Sequence, residues 1–351
     1  MAPSADRSTG WWWGGGRRGQ ARRAAGLLLA VAFVTAGPAG AVDDFRVTPA
    51  LAPTVRFWVD VFTRYGNDEV VIHDRAEPWR VYAVVRGGAD DVAARVHEVE
   101  ERLVLASLRP PSFVELVSRV PEPSGVSPVR VQRGMREAFA AALDAQRLYR
   151  PTVEAALTRE GLPLALAALP LVESSYHPNA TSTAGAVGLW QLTRDTARQY
   201  LRVARGVDER HDPSRASAAA ARHLRALRDA LPSWPLALTA YNHGLTGVQR
   251  ARSALGTDDF GVLVARYRGP GFGFSSRNFY AEFLAALQVM RRADQYFPDR
   301  ARVRMVEYRV KRGDTLYRVA RRHGVSLTSL RVTNGLRSAS LQPGQRILIR
   351  L

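Results

Sequence analysis

The sequence predicts a mainly α protein, with a mixed α/β region before the helices and a small βααβ unit after them. Three observations predict it. From Val129 to about Phe297, apolar residues recur at helical spacing between Gly, Pro and Asp-Pro punctuation. Upstream, short β-prone runs alternate with turn residues. From residue 306 onward the rhythm changes to strand, two short helices and strand.

The elements follow in order. Arg17, Arg18, Arg22 and Arg23 precede the apolar run Ala24 to Val34, which is too short to span a bilayer comfortably. Ala39-Gly40-Ala41 supplies small residues for cleavage, so residues 1–41 read as an export signal. In residues 42–127, Phe57 to Tyr65 fits strand or helix. Glu69 to His73 and Arg80 to Val85 read as two strands, and Asp91 to Ser107 carries Val92, Val96, Val99 and Leu103 on one helical face. Pro110-Pro111 and Pro121 to Gly125 are breakers. No chemistry is assigned to this region.

The third region, residues 128–298, is read as helices. Met135, Phe139, Ala142 and Leu143 share a face; Pro151 is expected to start a new helix that Gly161 ends. Leu162 to Ser174 is expected to be one apolar helix. Thr193 to Leu201, Ser214 to Leu231 (entered through Asp212-Pro213), Pro235 to Asn242 and Phe279 to Ala293 follow, the last after a loop over Gly269 to Phe274. In the tail, 306–351, Tyr308 to Val310 and Ile347 to Ile349 are strands. Gly313-Asp314-Thr315 and Ser326 open its helices, and His323-Gly324 and Asn334-Gly335 close them. The tail is expected to fold alone, as a binding module whose removal spares turnover of short soluble substrates.

The formal net charge is +18, and Lys311 is the sole lysine beside many arginines. An exported cationic chain is drawn to anionic polymers; the export signal argues against nucleic acid. There is no cysteine, which excludes disulfides, thiol chemistry and a cysteine-linked lipid anchor. The seven histidines show no metal-ligand spacing, so no metal or other cofactor is expected.

One carboxylate stands out. Glu173 ends the apolar stretch that begins at Leu162. A carboxyl group deprived of water there keeps its proton to higher pH and can donate it to a leaving oxygen. Ser182 and Gln191 follow at regular distance, with Gly185 and Gly188 between them allowing close backbone approach to a ligand. Ser182 and Gln191 serve either the acid and a sugar or plain turn and helix capping. Tyr241-Asn242 forms a third polar cluster. Between Glu173 and Asp195 there is no acidic residue, although Asp195, Asp208 and Asp212 are free to fold near.

The runs Glu173-Ser174-Ser175, Gly188-Leu189-Trp190-Gln191 and Ala240-Tyr241-Asn242-His243-Gly244, in that order, resemble the goose-lysozyme-like domain of soluble-type lytic transglycosylases. Gly161-Leu162-Pro163 and Tyr176-His177-Pro178-Asn179-Ala180 narrow the likeness to the membrane-bound type D branch. Tyr308 to Leu316, with Asn334-Gly335-Leu336 and Pro343-Gly344-Gln345, resembles a LysM module, a family that binds N-acetylglucosamine polymers. The resemblance implies a lysozyme-like fold and a one-carboxylate mechanism. Glu173 would protonate the oxygen of the β-1,4 bond between N-acetylmuramic acid and N-acetylglucosamine. It would then take a proton from the muramoyl 6-hydroxyl, which closes onto C1 to give a 1,6-anhydro product.

By the same resemblance Ser182, Gln191, Tyr241 and Asn242 would position acid and substrate. The family's tyrosine after the final loop aligns with Phe279, which leaves adjacent Tyr280 as a substrate-binding candidate. The implied partner is the peptidoglycan glycan strand, met by a monomer in the periplasm or cell envelope. Two alternatives stand: a hydrolytic muramidase or chitinase on the same fold, and a non-catalytic wall-binding protein.

Overall fold

The computed structural model describes residues 45–107, 127–298, 303–334, 336 and 340–351. The export signal, the breakers at 110–111 and 121–125, and Gly335 lie outside the described residues.

The N-terminal region is a three-stranded antiparallel sheet with a helix on each face. Helix α1 (Ala52–Thr63) settles the ambiguous stretch as helix, burying Val55, Phe57, Trp58, Val59 and Phe62. Strands β1 (Glu69–Asp74) and β2 (Val81–Arg86) form the predicted hairpin, and α2 (Ala89–Ser107) covers one face through Val99 against Ile72. Strand β3 (Val129–Arg133) completes the order β2-β1-β3, with Ile72 opposite Val131. This corrects the helical reading there: Val129-Arg130-Val131 alternates with period two, and pairing with β1 uses that period.

Helix α3 (Arg136–Arg159) runs straight through Pro151. The expected break fails because Tyr149, Val153, Ala156 and Leu157 are all buried along one face, and packing outweighs the roughly 3 kcal/mol that an interior proline costs. The apolar segment before Glu173 is not one helix either. A 3₁₀ turn over Leu164–Ala168 leads into the short α4 (Leu169–Ser174). Pro170 has no N–H to continue the ladder, so the chain switches helix type there.

Helix α5 (Arg194–Arg198), the two-residue strands β4 (Val203–Ala204) and β5 (Val207–Asp208), and α6 (Pro213–Ala230) come next. Asp212 caps α6, accepting from the Ser214 and Arg215 amides. Helices α7 (Trp234–His243), α8 (Leu245–Leu255), α9 (Phe260–Arg266), α10 (Phe274–Arg291) and α11 (Ala293–Tyr296) complete the helical body. Helix α10 is its centre, with buried Phe279, Phe283, Leu284 and Leu287 packed between α1, α4 and α7.

The tail has strands β6 (Met305–Arg309) and β7 (Arg346–Arg350) around α12 (Leu316–His323) and α13 (Leu327–Asn334), the predicted βααβ. Val310, Leu316, Val319, Leu330, Ile347 and Ile349 form its own small core. Asn334 does more than end a helix: its side chain donates to the Leu330 and Leu348 carbonyls and accepts from the Leu348 amide, tying α13 to β7.

The tail is also docked on the helical body. Leu348 belongs to the large core, and Arg350 Nε lies 3.2 Å from Asp144 Oδ2 on α3, where Asp144 is fully buried. Tyr149 on α3 donates to Glu307, and Arg346 sits 3.6 Å from both Asp212 and Glu307. The tail thus has its own core, and one edge is built into the helical body.

Candidate active site

Glu173 occupies the last turn of α4. The next two residues, Ser175 and Tyr176, both have positive φ (53° and 61°), a costly conformation for residues with side chains. Buried contacts hold that turn. Ser174 Oγ donates to the Leu189 carbonyl at 2.8 Å, and Tyr176 Oη donates to the Ala167 carbonyl at 2.7 Å. The first bond ties the acid's helix to the loop that carries the second motif.

That loop, residues 177–192, is stitched from below. The Gly188 amide bonds to the Ala180 carbonyl at 2.8 Å, and Gln191 Nε2 reaches both Gly188 O (3.0 Å) and Ala180 O (3.2 Å). Gln191 itself has φ of 45°. Gly188 has φ of 82°, and a Cβ there would meet Arg210 O at 2.1 Å, so only glycine fits. The close approach is thus to the protein's own backbone rather than to a ligand. Arg210, 4% exposed, donates to the Gly185 and Leu192 carbonyls and is paired with Asp208 at 2.7 Å. Sequence reading passed over Arg210, since a lone arginine far from the motif carries no local signal.

Tyr241 on α7 donates to the Trp190 carbonyl at 2.6 Å, joining the second and third motifs. Trp190 is fully buried, with its indole N–H on Ser217, so it is core. Asn242 Oδ1 is 3.5 Å from Ser275 Oγ, and His243 Nδ1 is 3.1 Å from Ser276 Oγ; both serines open α10. The N-terminal region holds that same helix start. His73 packs on Phe274 at 5.6 Å, and the Arg130 guanidinium lies over the Phe274 ring at 4.6 Å.

Ser182 takes one of the two roles the sequence left open, and Tyr280 differs from expectation. Ser182 Oγ accepts from the Ala186 amide at 3.0 Å, so the hydroxyl caps the 182–186 turn. Tyr280 is 2% exposed and edge-on to Phe260 at 5.2 Å. Its place on the buried face of α10 removes it from the candidate substrate-binding residues, and Phe279 beside it is fully buried too.

The electrostatics centre on Glu173. Burial pushes its carboxyl up to about 8. Burial first, and then the Glu173 charge, hold the Tyr241 phenol well above its ordinary value. The same two causes, in the same order, hold the Glu282 carboxyl well above the usual carboxylate range. Glu282, on a helix that packs against α4, is therefore a second acid whose ionisation the Glu173 charge opposes, brought from far along the chain. Asp208 pairs with Arg210, Asp212 caps α6 and Asp195 lies exposed in the first turn of α5. Among the described residues no cluster of His, Cys, Asp or Glu has the makings of a metal site.

A raised carboxyl pKa has a consequence for stability. In the unfolded chain Glu173 ionises near its ordinary value; in the folded protein it keeps its proton to about 8. Stability from this group is full at acid pH and is lost as pH rises through that window. Glu173→Gln carries no such penalty. It is expected to be more stable than the parent, with a gap that widens from about pH 5 to about pH 8. Melting curves across that range check it; a gap independent of pH would contradict the buried-acid assignment.

A helical, lysozyme-like domain with a desolvated carboxylic acid at the end of a short helix is the class this fold and site define. Residues 151–261 match the family model of the transglycosylase SLT domain, and residues 308–350 match that of the LysM domain. The SLT match thus precedes the LysM match along the chain. It is similar to membrane-bound lytic murein transglycosylase D of Escherichia coli (strain K12), 37% identical over 95 residues, covering 26% of this chain and 21% of that protein. It is also similar to membrane-bound lytic murein transglycosylase F of Alcanivorax borkumensis, 39% identical over 95 residues, covering 25% and 19%. The chain thus spans about a fifth of the length of these relatives. The 70 kDa soluble lytic transglycosylase of Escherichia coli superposes on 41% of this chain and 24% of its own, with 19% identity and a TM-score of 0.36.

Proposed function

We propose that the chain is a peptidoglycan lytic transglycosylase acting on the β-1,4 bond between N-acetylmuramic acid and N-acetylglucosamine. The observation that carries this reading is Glu173, a half-buried acid whose proton is retained to about pH 8 by desolvation. Glu173 gives that proton to the glycosidic oxygen, and the C1–O bond breaks with its electron pair going to oxygen. The Glu173 carboxylate then takes the proton of the muramoyl 6-hydroxyl as that oxygen closes onto C1. Tyr241 and Gln191 fix the loop around the acid, Ser182 caps its 182–186 turn, and Asn242 is assigned to a sugar substituent. No cofactor enters.

Residues 128–298 form the catalytic unit in this reading. Residues 306–351 hold a glycan rich in N-acetylglucosamine, and α1 with His73 of β1 buttresses α10. The protein acts as a monomer in the cell envelope after export directed by residues 1–41. Among the described residues no helix is long and apolar enough to cross a membrane.

Glu282 raises the hydrolytic alternative, because inverting hydrolysis needs a second carboxylate that activates water on the far face of the sugar. A group 2% exposed within α10 is poorly reached by solvent, which favours the anhydro product. Digestion of peptidoglycan in ¹⁸O-water with mass spectrometry decides between them. Anhydromuropeptides without label are expected, and label at the new muramoyl end would mean hydrolysis.

A further inference from the structure

Glu282 lies midway along α10, 2% exposed, with Oε2 lacking a hydrogen-bond partner. A bare, buried carboxyl oxygen is costly and asks for an explanation. Its surroundings narrow the choice. Helix α10 packs against α4, which carries Glu173, and against α7, which carries Tyr241. The 3₁₀ turn at Leu164–Ala168 offers it Leu166, Ala167 and Ala168, and α1 turns Val55, Trp58 and Phe62 inward while Arg56 and Arg64 point to solvent. The Glu173 charge acts on both Glu282 and Tyr241. Tyr241 Oη is committed to the Trp190 carbonyl. The Glu173 charge is thus the one that bears on Glu282.

We propose that Glu282 is a positioning residue, carried as the neutral acid behind Glu173, whose O–H supplies a hydrogen bond to the Glu173 carboxylate formed during the reaction. This rests on the transglycosylase reading for its consequence, though not for its geometry. When Glu173 protonates the leaving oxygen, its new charge arises in an apolar pocket. Glu282 donates a hydrogen bond to that charge and keeps its own proton. The 6-hydroxyl proton then returns Glu173 to the acid form as the C1–O6 bond closes. Protons balance with Glu282 unchanged, and no water is required. Burial and the Glu173 charge both oppose ionisation of Glu282.

The test follows the two carboxyl carbons by ¹³C NMR of glutamate-labelled protein, beside the pH dependence of kcat. In the parent, the Glu282 signal is expected to stay that of the acid after Glu173 has ionised; ionisation of Glu282 before Glu173 overturns the proposal. Glu282→Gln keeps a neutral donor, so the Glu173 titration and the alkaline limb should stay near the parent's. Glu282→Leu removes the donor, so the Glu173 titration should move up by about one to two pKa units and kcat fall about tenfold or more, with KM little changed. Glu282→Met repeats the test should leucine prevent folding. Equal behaviour of the glutamine and leucine variants, or an unmoved Glu173 titration, would reduce Glu282 to core packing. Labelled oxygen in the products would overturn the transglycosylase reading and leave the NMR result standing.

Discussion

Glu173→Gln is expected to lower the rate of peptidoglycan cleavage by roughly 100- to 10,000-fold, the usual contribution of general acid–base catalysis. Glutamine keeps the shape of the side chain and cannot deliver a proton. The fold should survive, because no described hydrogen bond or ion pair depends on the Glu173 carboxylate. The parent should show a complementary pH profile. The acid form is the active one, and it is lost as pH rises through about 8, so activity should fall above that value. The glutamine variant should have no such limb in its residual rate. A folded variant that keeps more than about a tenth of parental turnover would sink the assignment of Glu173 as the acid.

The second large effect is on stability. Arg350, in the last strand of the tail, meets Asp144 in the middle of α3 at 3.2 Å, and Asp144 has no exposure to solvent. Removing one member of a buried ion pair costs roughly 3–5 kcal/mol, because the other charge stays desolvated. The Arg350 side chain is 34% exposed, and water weakens the pair on that side, so Arg350→Met should cost at the lower end, about 3 kcal/mol. Adding Asp144→Asn removes the stranded charge and should recover most of the loss. Urea unfolding of the two single variants and the double variant measures this. If Arg350→Met unfolds within about 0.5 kcal/mol of the parent, the range of an ordinary surface change, the docking contact contributes little.

Removal of the whole tail acts through the same contact. It would uncover Leu348's place in the large core and take away Arg350, Arg346 and Glu307 together. Truncation is therefore expected to lower the melting temperature of the helical body. Any change in turnover of a soluble glycan has to be separated from that loss before it is read as a binding effect.

Much of the site was legible because its parts are local. Glu173 with Ser174 and Ser175, Gly188 to Gln191, and Tyr241-Asn242 are short runs whose order is visible along the chain, and the structure joins them through Ser174 to Leu189 and Tyr241 to Trp190. The βααβ tail was legible for a similar reason. Its helices open and close on local signals: Thr315 Oγ1 accepts from the Arg318 amide, and Gly324 ends α12 in the left-handed conformation.

What stayed hidden depends on contacts between distant segments. Glu282 reads as one polar residue on an apolar helix until α10 is packed against α4. Arg210 reads as one arginine among many until it is seen binding the Gly185 and Leu192 carbonyls. Tyr280 reads as a neighbour of the site until the rotation of α10 turns it into the core beside Phe260. Pro151 reads as a helix start until the buried face of α3 outweighs its local preference. Thus spacing and short motifs in the sequence by themselves determined the class of fold, the candidate acid and the order of the motifs. Those signals act within a few residues, where hydrogen-bond geometry and side-chain period dictate them. Only the tertiary structure decided which second acid faces the first, which glycine meets backbone and how the tail is seated, because desolvation and charge pairing exist only once remote segments exclude water together.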